Sequence, residues 1–161
     1  MTELLIVWHS RTGGSRQMAE AAFAAAKAEC TATLKPADDV RPDDLLRADG
    51  YIFCAPENLA ALSGAMKEFF DRCYYEVLGR IEGRPYALMI CAGSDGAGAV
   101  RQAARIAQGW RLRPVQEPLI VCTHAQTRDQ ILGQKTIPEE DLVRCRDLGQ
   151  ALAAGLEMGA F

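Results

Sequence analysis

A doubly wound three-layer α/β sandwich on a five-stranded parallel sheet is the fold class this sequence predicts, and three observations predict it. Five short apolar runs recur along 161 residues. Alanine-rich or amphipathic helical patterns separate them. The first run leads straight into a turn rich in hydroxyls and glycine. Alternating strands and helices call for a parallel sheet covered on both faces, and right-handed crossovers make it doubly wound. The length suits a single domain, residues 1–161.

The apolar runs are Leu4–Trp8, Ala32–Leu34 with its flanks, Tyr51–Ala55, Tyr86–Cys91 and Pro118–Cys122. Most are continuous and rich in Val, Ile, Leu or Tyr, as strands buried on both faces should be. The second is the weakest and is placed by spacing. Helices are predicted over Arg16–Ala28, Gly64–Leu78, Gly96–Gln108 and about Ile137–Leu156. The first is mostly alanine, which allows close approach to a sheet. The second sets Met66, Phe69, Phe70, Cys73, Tyr74 and Val77 on one face and Lys67, Glu68, Asp71 and Arg72 on the other. The last opens on Thr136-Ile137-Pro138-Glu139, which has capping-box spacing with proline in the first turn. Thr123–Lys135 is polar and poorly periodic, and reads as a long excursion beside the last strand.

Composition excludes several function classes. A net charge of −3 gives no electrostatic case for a nucleic-acid partner, and no apolar run is long enough to span a membrane. A strand begins almost at once, with Glu3 and no basic leader, so the expected location is cytoplasmic. None of the six cysteines forms a C-x-x-C pair; they read as buried small hydrophobes in a reducing compartment. With only His9 and His124, a metal site has no obvious ligand set.

Chemistry concentrates in Ser10-Arg11-Thr12-Gly13-Gly14-Ser15, just beyond the first strand. Open α/β sheets bind ligands at the carboxyl ends of their strands, where strand order reverses. Ser10, Thr12 and Ser15 offer three hydroxyls, and the two glycines let backbone N–H groups converge. The helix that follows presents its N-terminus to the same point, which favours an anion. Arg11 and Arg16 either add charge or point to solvent. The spacing fits neither the lysine-containing triphosphate loop nor the G-x-G-x-x-G dinucleotide fingerprint. His9 reads as a strand-end residue.

At these residues the chain resembles the flavodoxin-like family, whose phosphate loop reads [ST]-x-T-G-x-[ST]. The resemblance continues in Ala55-Pro56-Glu57-Asn58-Leu59-Ala60-Ala61-Leu62-Ser63-Gly64 with the helix after it, and in Cys91-Ala92-Gly93-Ser94-Asp95-Gly96. It is closest to small flavodoxin-family proteins and NAD(P)H-dependent FMN reductases. The resemblance implies FMN as cofactor, its phosphate on Ser10–Ser15 and its ring between the second and third loops. Implied ring contacts are Pro56, Glu57, Asn58, Leu59, Ser63 and Gly64 from one loop, and Gly93, Ser94, Asp95 and Gly96 from the other. Asn58 carries an amide with both donors and an acceptor. Glu57 reads equally as a solvated loop charge, Asp95 equally as a cap for the helix over Gly96–Gln108, and Ser63 and Gly64 as a helix start.

The resemblance implies an oxidoreductase taking electrons from NADH or NADPH and passing them to a small acceptor, a quinone or flavin. The alternative is a flavodoxin-type carrier serving a redox partner protein. Neither flavin loop contains an aromatic residue and the net charge is mild; both points lean toward the reductase. No side chain is expected to act as catalytic acid or base, because flavin carries the redox step. A homo-oligomer is compatible with the resemblance. A distinct reading comes from Cys122-Thr123-His124-Ala125-Gln126-Thr127-Arg128, which has the C-x₅-R spacing of a thiolate phosphatase. That chemistry requires a depressed cysteine pKa.

Overall fold

The alternation of apolar runs and helices resolves into one twisted sheet with helices on both sides. The computed structural model describes residues 2–161. In chain order the elements are β1 (Glu3–Trp8), α1 (Gly14–Ala26), β2 (Thr31–Pro36), α2 (Pro42–Arg47), β3 (Gly50–Asn58), β4 (Ala61–Leu62), α3 (Gly64–Val77), β5 (Pro85–Ala92), α4 (Ala97–Gly109), β6 (Arg113–Pro114), β7 (Leu119–Cys122), α5 (Arg128–Leu132) and α6 (Glu139–Glu157). The five main strands run parallel in the order β2-β1-β3-β5-β7. The order reverses at β1, so the ends of β1 and β3 flank the crevice where such sheets take ligands.

Alternation along each strand sorts the core into two layers. Leu5, Val7, Tyr51, Phe53, Leu88 and Ile90 face the layer holding α3 and α4. Leu4, Ile6, Ile52, Cys54, Met89 and Val121 face α1 and α6. The first layer is aromatic: the Phe53 ring packs at 5.0 Å from Phe70, which meets Trp110 edge-on at 5.2 Å. The second is built on Ala19, Ala22 and Ala26 of α1, as its composition predicts. All six cysteines are free thiols and five are buried.

The structure departs from the sequence reading in five places. The connection between β2 and β3 contains α2, where Pro42 sits in the first turn and Asp44 accepts a 2.8 Å bond from the Arg41 N–H. The third strand runs on to Asn58 and turns back into β4, making a hairpin where a loop was expected. The edge strand is broken, with β6 and β7 pairing to different parts of β5. The capping box at Thr136 does not form. Ile137 is buried and its N–H donates to Gln17 Oε1 at 3.0 Å. That bond and the following proline hold the segment extended, so α6 starts at Glu139. A box does form at Thr127, which accepts from the Gln130 N–H at 3.2 Å and opens α5 inside the excursion. No helix among the described residues is long and apolar enough to cross a membrane.

Candidate functional site

The turn after β1 is held by its own hydroxyls. Ser10 Oγ accepts from the Gly13 N–H at 3.0 Å. The buried Ser15 hydroxyl donates to the His9 carbonyl. These two side chains shape the loop: Ser15 spends its O–H on the backbone, whereas Ser10 accepts there and keeps its own O–H to donate. Gly13 adopts φ +92° at the N-cap of α1, a conformation that a Cβ disfavours. Thr12 faces a cavity of about 460 Å³. Arg11 is exposed and lies off that cavity, and Arg16 stacks 5.5 Å over the Trp8 ring and pairs with Glu20.

Pro56, Glu57, Asn58 and Leu59 form the second wall of the cavity, and Gly93 with Cys91 and Ala92 the third. Glu57 ties these walls together. Its Oε1 accepts from the Gly96 N–H at 2.9 Å and its Oε2 from the Ala99 N–H at 3.1 Å. A carboxylate across the first turn of α4 satisfies two orphan donors and meets the helix dipole favourably. Gly98 lets this helix approach the hairpin, since a Cβ there would lie 2.1 Å from the Ala60 carbonyl oxygen. Asp95 Oδ1 accepts from the Ala97 N–H at 3.1 Å, the capping reading of that residue.

The remaining sequence-predicted residues stand outside the cavity. Ser94 and Asp95 are exposed beside it, and Gly96 is buried against Ile120. Ser63 is buried with its Oγ 2.8 Å from His9 Nδ1, which joins the first loop to the second. Gly64 opens α3 with open space around it.

Sequence reasoning missed what comes from the excursion after β7. Thr123, Ala125, Ile131 and Lys135 also line the cavity. The Thr123 and His124 N–H groups donate to the carbonyls of Ala92 and Gly93 at 2.9 and 2.8 Å, continuing the sheet's pairing beyond its last strand. The Lys135 N–H donates to the Thr12 carbonyl at 2.8 Å. Gln17 Nε2 donates to the carbonyls of Gly13 and Lys135, at 2.9 and 2.7 Å. A polar residue among the alanines of the first helix was the only sequence signal for this attachment.

Cys91 lies under the first loop, where burial pushes its thiol up to about 11, against the opposing effect of Lys135. Burial first, then Asp95, Glu57 and Asp141, raise the Cys122 thiol as well. The Thr123 and His124 amides after Cys122 are taken up by Ala92 and Gly93, and Arg128 is exposed beside Asp129, so no phosphate cradle forms around this thiol; its raised pKa points the same way, against the C-x₅-R reading. Among the described residues, no three His, Cys, Asp or Glu side chains are grouped to hold a metal ion. A larger depression of about 720 Å³ at the broken edge strand, between Tyr86 and Pro118, has neither a glycine turn nor a helix N-terminus beside it.

Comparison with known proteins gives the family and the fold. The family model described as NADPH-dependent FMN reductase matches residues 20–126, more than half of the chain. A curated flavodoxin from Aquifex aeolicus is 33% identical over 100 residues, which span 61% of this chain and 54% of that protein, about half its length. A solved flavodoxin from the domain Archaea superposes with a TM-score of 0.79 at 18% identity, covering 97% of this chain and 99% of the other. A flavodoxin, WrbA-like protein from Agrobacterium tumefaciens gives a TM-score of 0.71 at 19% identity, covering 98% and 99%. These likenesses make the fold flavodoxin-like.

Proposed function

The chain belongs to the NADPH-dependent FMN reductase family, and we propose from that premise that it is an FMN flavoprotein that oxidises NADH or NADPH and passes the electrons to a quinone or free flavin. The observation that carries this reading is one convergence. At the reversal of strand order, a glycine turn at the N-terminus of α1 adjoins a cavity of about 460 Å³ walled by the loops after β3 and β5. A phosphate is favoured at a helix N-terminus, and a flat ring is favoured in a cleft with close backbone approach.

The residues present fit FMN. Ser10 and Ser15 fix the loop and Gly13 makes its turn, with its N–H on Ser10 Oγ, so that the Ser10 and Thr12 hydroxyls and the Gly14 amide can serve a phosphate. Pro56–Leu59 and Gly93 would border the ring, with Ser94, Asp95 and Gly96 beside it. Ser63 and Gly64 act through position, by holding His9 and starting α3. When bound, FMN supplies hydride acceptance and electron release; the chain supplies binding, orientation and electrostatics. None of the residues lining the cavity is aromatic, which leaves a ring face open to a nicotinamide.

The absorption spectrum of the purified protein, titrated with FMN and with FAD, tests the cofactor. The expected result is saturable FMN binding; a colourless protein that takes neither flavin overturns the reading. Stopped-flow mixing with NADH and NADPH tests the activity, and bleaching of the bound flavin is expected. The second reading, an electron carrier for a partner protein, draws on the flavodoxin relative of 33% identity. Flavin that stays oxidised with both nucleotides, yet is reduced by a flavodoxin reductase, would favour it.

A further inference from the structure

We infer that Lys135 is the counter-charge for the flavin phosphate, and that it makes the site select a phosphorylated flavin over riboflavin; this rests on the FMN reading above. The ammonium is delivered from far along the chain to the loop after β1. Its Nζ lies 3.3 Å from Thr12 Oγ1, 2.9 Å from the Ile131 carbonyl and 2.7 Å from the Gly133 carbonyl. Every partner is neutral. Ion pairs elsewhere in the molecule occupy Arg16, Lys35, Arg47, Lys67, Arg72, Arg128, Arg144 and Arg146, and among the described residues no carboxylate pairs with Lys135.

The surroundings sharpen the point. The positive end of the α1 dipole lies at Gly13 and Gly14, directly beside Thr12. Two positive features brought together in the wall of a cavity repel each other until an anion lies between them. The fold nevertheless invests in the arrangement. The Lys135 backbone is fixed at both polar atoms, its N–H on the Thr12 carbonyl and its carbonyl on Gln17 Nε2. The same Gln17 amide bonds the Gly13 carbonyl and the Ile137 N–H, locking loop and strap into one unit. The ammonium caps the last carbonyls of α5, and its third contact carries the same charge beyond the helix end to Thr12 in the cavity wall. Of the loop hydroxyls, Ser15 donates to backbone and Ser10 keeps one neutral O–H to give; neither carries a charge, so the lysine supplies what they do not.

Apoprotein titrated with FMN and with riboflavin, followed by flavin fluorescence, tests the inference in wild type, Lys135→Met and Lys135→Arg. In Lys135→Met the FMN dissociation constant should rise about ten- to a hundredfold, the loss of one charge-assisted bond. Riboflavin, which uses the same cavity but brings no phosphate, should lose much less affinity than FMN, and its continued binding reports an intact fold. Lys135→Arg should recover part of the loss, and added salt should weaken FMN binding more in wild type than in Lys135→Met. Unchanged FMN affinity in Lys135→Met overturns the inference while wild-type FMN binding keeps the flavin reading. A parallel loss of both flavins overturns it too, by making the lysine a structural clamp. A wild-type protein that binds neither flavin brings down both.

Discussion

The two ends of the cavity are built by opposite means. At the end proposed for the phosphate, six consecutive residues make the turn, and polar bonds from Gln17 and Lys135 hold it. At the end proposed for the ring, a two-residue hairpin tip carries Leu59 and Ala60 at φ +53° and +65°, and Leu59 is fully exposed. Type I′ tips with both φ positive favour Asn-Gly, and each non-glycine residue there costs about 1 kcal/mol. The tip is held by packing from elsewhere: Gly98 against the Ala60 carbonyl, Glu57 across α4, and Gln102 Oε1 accepting from the Leu62 N–H at 2.7 Å. One end is a local motif braced afterwards; the other is a strained turn that exists because a helix is pressed against it.

The sharpest way to break this contrast is Gly98→Val. Its side chain must displace a backbone carbonyl rather than a flexible tip, so α4 and the hairpin have to separate. A loss of about 3 kcal/mol is expected by urea unfolding, with both flavins bound more weakly. Loss of riboflavin and FMN together is the signature expected of the ring end, as against the FMN-selective loss expected at Lys135. Stability within experimental error of wild type would show that the hairpin is not held by α4.

Glu57→Gln comes next. The substitution removes the charge and one of two bonds at the first turn of α4, for an expected loss of about 1–2 kcal/mol. Thermal unfolding measures it, and riboflavin titration tests whether the ring wall relaxes with it. A variant as stable as wild type would leave Glu57 as the solvated loop charge that its sequence position also allows.

Replacing Leu59 by Asn and Ala60 by Gly should act in the other direction. It removes the strain of two positive-φ side chains and should raise stability by about 1 kcal/mol, measured by the urea midpoint. Because Leu59 also lines the cavity, flavin affinity is expected to fall while stability rises. This is the pairing that strain kept at a functional position produces. No gain in stability would mean that the tip relieves its strain without help from glycine.

This contrast also explains what the sequence could and could not disclose. The turn after β1 was legible because hydroxyls, glycines and a helix start fall within six residues, and the parallel sheet because its strands are continuously apolar. Lys135 was not, because it lies 123 positions from Thr12 in a stretch without periodicity. The hairpin was read as a loop because Leu59-Ala60 carries none of the usual turn residues; tertiary packing overrides local preference there. The start of α6 was misplaced by a real local signal, since Thr136 and Glu139 have the right spacing but Gln17 captures the Ile137 N–H first. The helix over Pro42–Arg47 was not legible because six residues are too few to show apolar periodicity.

The smallest effect is expected where the two ends meet. His9 closes β1 with its N–H on the Cys54 carbonyl at 3.0 Å and its Nδ1 2.8 Å from Ser63 Oγ. Burial holds the imidazole below its usual 6.5; Asp38 pulls the other way and Arg11 adds to the lowering. Folding therefore favours the neutral ring. That preference contributes stability above the unfolded-state value of about 6.5 and is lost as pH falls through the lower folded value. Urea unfolding of wild type and His9→Gln at about pH 7.5 and about pH 5 should show a steeper acid loss in wild type, because the variant has no imidazole to protonate. Should the two lose stability equally, the join between the phosphate end and the ring end is indifferent to the charge on His9, and acid sensitivity must come from the carboxylates instead.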